Sequence, residues 1–273
     1  MGDRNSHLRE IINRSGFPLQ VALESAVAKG RGNYRWRPLA SEVPWFDELK
    51  GEERFIDLLL TRDHLRLIVE CKRRKEADWV FLVHPESRPD TASVCCRWVQ
   101  SFGNAGTRGD WSSFPLDPET PESQFCAIRG ASERQTPMLE RVASELIRAT
   151  EFMADPELGS GKHYEDSDYC AFVPVIATTA RLSVCRFDPG QIPLETGVLP
   201  TEKGQFVEVP AVRFSRSMLA AGEEYPTYAC ATHRATESIK TVFVINTAHF
   251  VEQIESFRTP TDPDDCPWMN HSA

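Results

Sequence analysis

Three features of this 273-residue sequence predict an α/β fold, a mixed β-sheet flanked by helices. An apolar-striped helical segment comes first, followed by two short apolar runs with a polar tetrapeptide between them. A longer amphipathic helix follows at about 136–153. Two continuous apolar runs, AFVPVIAT at 171–178 and TVFVIN at 241–246, then read as central strands buried on both faces. Helix, antiparallel strands, helix, buried strand, buried strand, helix is the order of a sheet with helices on both sides.

Ser6 is placed to cap a short helix carrying Leu8, Ile11 and Ile12, and Gly16 breaks it. Pro18 sits well as the first residue of a second helix, whose stripe is Leu19, Leu23, Ala26 and Val27, with Gly30 at its end. Glu24 lies just off that stripe. A strand-like stretch at 34–39 leads into an irregular connection through Pro44, Trp45 and Gly51. RFIDLLL (54–60) and LRLIVECK (65–72) read as a β-hairpin around Thr61-Arg62-Asp63-His64, with a further short strand at 79–83. Residues 85–134 are rich in Pro, Ser, Gly and Asp and read as a loop-rich insertion. The helix at 136–153 presents Leu139, Val142, Ala143, Leu146, Ile147 and Thr150 on one face. Residues 186–237 hold strand-like pieces among prolines, and 248–257 forms a last helix. The expected organisation is one domain over 1–257 with a disordered tail at 258–273.

Composition narrows the function classes. Hydrophobic residues make up 41% and charged residues 26%, a globular balance. There is no apolar stretch long enough to span a membrane and no apolar leader at the start, so the expectation is a cytoplasmic protein without a membrane partner. The eight cysteines contain no CxxC pair, which argues for reduced thiols over structural zinc or disulfides. His163, His233 and His249 lack ligand spacing. A net charge of −9 excludes a protein that coats nucleic acid with its whole surface; any such contact is local.

The hairpin carries the chemistry. If the connection 61–64 closes symmetrically, positions whose numbers sum to 125 face each other, and Asp57, Glu70 and Lys72 project to one side. Leu65, Leu67, Val69 and Cys71 point to the other, into a core. Two acids inside apolar strands are costly unless a metal or cation compensates. Phosphodiester hydrolysis has a use for that arrangement: carboxylates suit Mg²⁺, and an ammonium orients water or stabilises charge on phosphorus. The bland alternative is a solvated Glu–Lys pair on a strand.

The run FID, a short turn, then IVECK with a basic cluster and a tryptophan resembles the PD-(D/E)xK nuclease superfamily, the restriction-endonuclease-like group. Asp57 matches its first acid, and Glu70-Cys71-Lys72 its ExK element. Ile56 stands where the family name has proline. The resemblance covers about residues 16–84 most closely, and the order of elements beyond. It implies a three-layer restriction-endonuclease-like fold with Asp57, Glu70 and Lys72 catalytic. The implied metal ligands are Glu24, Asp57, Glu70 and the Cys71 backbone carbonyl. Mg²⁺ is the implied cofactor, with Mn²⁺ as a substitute. Arg73, Arg74, Lys75 and Gln135 are candidates for contact with the nucleic acid.

The expected function is therefore Mg²⁺-dependent hydrolysis of nucleic-acid phosphodiesters, DNA foremost, by an endonuclease that as a homodimer would cut both strands. The rival expectation is a module that keeps the nuclease fold, binds nucleic acid or protein, and turns nothing over.

Overall fold

The computed structural model describes residues 2–30, 36–74, 77–83, 91–101, 107–128, 137–155, 169–218 and 239–259. Two helices open the chain, α1 (Gly2–Ser15) and α2 (Phe17–Ala28). Between them Gly16 adopts φ 85°, a left-handed conformation that glycine reaches without a Cβ penalty. α1 begins at Gly2, ahead of the start a Ser6 cap would set, and leaves Leu8, Ile11 and Ile12 exposed. α2 buries Gln20, Leu23 and Val27, while Ala26 faces out, so its inner face is turned slightly from the expected stripe.

A three-stranded antiparallel meander follows: β1 (Arg37–Asp47), β2 (Glu52–Arg62) and β3 (Leu65–Lys72). The chain then forms β4 (Asp78–Val83), β5 (Thr91–Ser101), β6 (Thr107–Thr120), β7 (Glu122–Ser123) and β8 (Phe125–Ile128) before α3 (Met138–Ala154). The last third holds β9 (Tyr169–Thr178), β10 (Arg181–Arg186), β11 (Gln205–Glu208), β12 (Ala211–Ser217), β13 (Ile239–Asn246) and α4 (Phe250–Ser256).

A mixed nine-stranded sheet runs in the order β1-β2-β3-β9-β13-β12-β7, with β5 paired to the start of β9 and β6 to β5. β9 lies parallel to β3 along the whole of that strand, from Leu65↔Ala171 to Lys72↔Thr178. Its other edge is shared between β5 and β13. All of β9 beyond Tyr169 is buried, as a strand covered on both faces must be. On one face α3 packs Leu139, Ala143 and Leu146 against Ile68, Phe172 and Ile176. On the other, α2 and α4 pack Leu23, Val27 and Ile254 against Leu58, Leu67, Val69 and Val175. The expected α3 face is buried as read, including Thr150. The chain is thus an α/β protein with a large mixed sheet and helices on both faces.

Several expectations are corrected. The β2–β3 register sums to 127, not 125: Arg62 pairs with Leu65 and Leu58 with Val69. Asp63 takes φ 48°, and the Arg66 guanidinium donates to the Asp63 carbonyl at 2.8 Å, so Asp63 and His64 alone make the turn. The slip is two residues, an even number, so the paired residues keep their faces, but the alternation breaks at Asp57, where Ile56 packs with Leu59 on the α3 face and Leu58 on the other. β4 does not extend the first meander; it pairs with β10 and β8 in a separate four-stranded sheet, β11-β10-β4-β8. β1, longer than expected, is the third antiparallel strand in its place. Residues 85–134 are not loop-rich throughout, since β5 and β6 pair over most of their length. β6 buries only scattered positions, Phe114 and Leu116 among them, so it carries little apolar periodicity. The tail expected to be disordered begins with order: Arg258 bridges to Asp117, and residues 260–273 lie outside the described residues. No disulfide joins the described cysteines, and no described helix is long and apolar enough to cross a membrane.

Candidate active site

The candidate site forms where β2 and β3 part. Ladder pairing ends at Leu58↔Val69, and the next pair in that register would be Asp57 with Glu70. Two side-chain contacts replace the lost ladder. The Asp57 carbonyl accepts a hydrogen bond from Gln20 Nε2 of α2 at 2.8 Å. The Asp57 carboxylate Oδ2 accepts from the Cys71 backbone amide at 2.6 Å. The fork is therefore held open by Asp57 itself, which takes the Cys71 amide that the ladder no longer meets.

Glu70 and Lys72 stand two residues apart on β3, and the Lys72 ammonium donates to Glu70 Oε1. Their side chains keep 22% and 30% of their surface exposed, enough to meet a substrate. The end of β3 is anchored to β9: the Lys72 carbonyl accepts from Thr178 Oγ1 at 3.0 Å and from the Thr179 amide at 3.3 Å. In a strand the N–H and C=O of one residue turn to the same edge. Since Lys72 bonds toward β9, the Cys71 carbonyl turns with its amide toward the open fork.

The electrostatics are set by burial. Burial first, and the Glu70 carboxylate second, push Asp57 up to about 7; the Cys71 amide and the Lys72 ammonium pull the other way and lose. Burial also pushes the Cys71 thiol up, with Asp57 and Glu70 adding to it, so that thiol stays protonated and unreactive.

The remaining expected residues are less tightly gathered. Glu24 is half-buried on α2, one turn after Gln20, and among the described residues it makes no hydrogen bond or ion pair. No three His, Cys, Asp or Glu side chains come together as a metal-holding group among the described residues, so Glu24 does not join Asp57 and Glu70 in one. The α2 residue that reaches the site is Gln20. Its sequence signal was a polar residue at a core spacing, three before Leu23 and seven before Val27. Arg73 is exposed and donates to the Asn13 carbonyl at the end of α1, and Arg74 lies against Met138 Sδ. Lys75 and Gln135 lie outside the described residues.

No protein-family model, curated protein or solved structure matches this chain.

Proposed function

We propose that this chain is a metal-dependent nuclease with a restriction-endonuclease-like core, hydrolysing phosphodiesters of nucleic acid, DNA foremost. The order α2, β1, β2, β3, α3, β9, with β9 parallel to β3, supports that core, and β4–β8 are then an insertion before α3. The observation that carries the reading is the meeting of Asp57 with the Glu70–Lys72 pair at the strand fork. As a simple cap on the Cys71 amide, Asp57 would gain from that bond and its acidity would rise. Instead its proton is held up to about 7, so the fold bears the strain of a buried acid beside a second acid. A scaffold has no use for that strain, whereas a site that exchanges the proton for a cation does.

The donor set fits magnesium, which takes one or two carboxylates and keeps waters and substrate oxygens. Asp57, Glu70 and the Cys71 carbonyl would hold it, Mn²⁺ could replace it, and the bound ion would polarise a phosphoryl oxygen and acidify water. Lys72, oriented by Glu70, supplies positive charge beside the phosphate as negative charge builds there. Arg73 and Arg74 follow on the same exposed turn and would position the strand.

The binding-module reading keeps one argument: among the described residues the acids at the fork, Asp57 and Glu70 with Glu42 near enough to raise Asp57, form no group of three that could hold a metal. Purified protein incubated with linear, supercoiled and branched DNA in Mg²⁺, Mn²⁺ or EDTA separates the two. Cleavage with Mg²⁺ or Mn²⁺, absent in EDTA and in Asp57→Asn, is expected. Binding without cleavage under any divalent ion would favour the module.

A further inference from the structure

α3 does not close fully over β1 and β2. Between them lies a cavity of about 270 Å³, and Glu70 is one of its walls. Its floor is apolar and buried, made by the Trp45 indole, Ile56, Leu146 and Ala149. Its polar rim is Arg54 and Glu145, and the half-exposed Phe55 ring stands at the mouth. The rim is pre-organised. Arg54 Nη1 pairs with Glu145 Oε2 at 3.0 Å, and Lys50 Nζ holds Glu145 Oε1 at 2.6 Å. Behind them the fully buried Asp47 takes both Nε and Nη2 of Arg148, at 3.1 and 2.7 Å, which locks α3 to the end of β1.

Resting on the nuclease reading above, we infer that this cavity receives one unpaired nucleobase of the substrate strand, next to the phosphate that is cut. The volume falls just under the roughly 300–1,000 Å³ of small-molecule pockets, which suits a single heterocycle and not a peptide. Apolar walls and two carboxylates reject a phosphate, so the backbone stays at Lys72 and the base turns inward. Indole and aliphatic walls stack on the base face, as aromatic platforms do for single strands. The carboxylates of Glu145 and Glu70 accept from N–H groups on its edge, and Arg54 donates to its ring or carbonyl acceptors. The shared wall at Glu70 sets the base beside the reacting centre. The global charge fits the same conclusion, because a chain at −9 lacks the broad basic surface that grips duplex DNA. Its affinity comes from burying a base, and its substrate is single-stranded or locally unpaired nucleic acid.

The test is fluorescence anisotropy in EDTA with a short fluorescein-labelled single strand and the same strand in a duplex. Wild type is expected to bind the single strand at least roughly tenfold more tightly, a stacking-sized preference. Ala149→Leu, which fills the cavity, and Glu145→Gln, which alters only the rim, should both lose it. Glu145 keeps 22% of its side chain exposed and Gln is nearly its size, so this variant reports even if the Ala149 variant fails to fold. Equal binding of strand and duplex by wild type, or an unchanged preference in the folded variants, would overturn the pocket. Cleavage with Mg²⁺ is scored separately. A protein with the pocket-dependent preference that cuts nothing overturns the nuclease reading and supports the pocket, whereas cleavage without that preference does the reverse.

Discussion

At the scale of single residues, Asp57 and Lys72 make opposite demands on the fold. Asp57 holds its proton up to about 7 where the unfolded chain releases it near 3.8. The folded state therefore binds an extra proton between those values, and stability falls as pH rises through that window. Asp57→Asn removes the penalty, so its melting temperature relative to wild type should climb from pH 4 to 7 and stay high above. Mg²⁺ should raise the wild-type melting temperature at pH 8, hardly at pH 5, and not in the variant. A pH-independent difference between the two proteins would show that Asp57 is not the strained group. Lys72 packs little and acts on charge, so Lys72→Ala should melt near wild type. Its single-turnover cleavage should slow roughly a hundred- to a thousandfold, about 2.7–4 kcal/mol, while DNA affinity changes little. Weakened binding with unchanged chemistry would make Lys72 a phosphate clamp instead.

Among the elements, α4 shows how a polar residue in a strand fastens a helix. Arg62, near the end of β2, is buried and donates to the carbonyls of Ile254 and Glu255, both at 3.3 Å, and of Phe257. These include carbonyls that the last turn of a helix leaves without partners, and a cation there also suits the helix dipole. The guanidinium lies 4.6 Å over the Trp36 ring, whose Nε1 donates to Ile254 O at 2.5 Å. Arg62→Met keeps the stem's bulk and strips the donors. Each carbonyl keeps another donor, Trp36 Nε1 at Ile254 and Arg258 Nη1 at Glu255 and Phe257, so the loss is that of the Arg62 bonds alone, about 1–2 kcal/mol. That corresponds to a drop of about 2–8 °C in melting temperature. A calorimetric shift under about 1 °C would mean that α4 is held by Phe250 and Ile254 alone.

The whole molecule is acidic, and its basic residues next to the candidate site are few. Among the described residues, Arg73 and Arg74 follow the site, and together with Lys72 they can neutralise only a few phosphates. The salt dependence of DNA binding should therefore be shallow, with log K falling against log salt at a slope of about 2–3. A slope beyond about 6 would require a basic surface elsewhere and would move the interface away from β3. The same experiment, read with sedimentation at rising protein concentration, tests whether the protein binds as the homodimer that would cut both strands.

What could be read from sequence was whatever local chemistry dictates. Asp57, Glu70 and Lys72 stood out because charges interrupt apolar strands, and the faces of β3 and α3 followed from periods of two and 3.6. The strand runs 171–178 and 241–246 were legible because burial on both faces leaves no polar alternation. Tertiary structure decided the rest. The hairpin register turned on one dihedral at Asp63, which composition does not reveal. β6 pairs only with its neighbour β5 but buries few apolar positions, β5 reaches the distant β9, and β4 left the first meander for a strand a hundred residues away. Gln20 meets Asp57, and Glu70 meets the wall of α3, only because separate elements pack across the sheet. Sequence spacing names the groups that can do chemistry; which of them share a space is set by long-range packing, whose partners lie outside any local window.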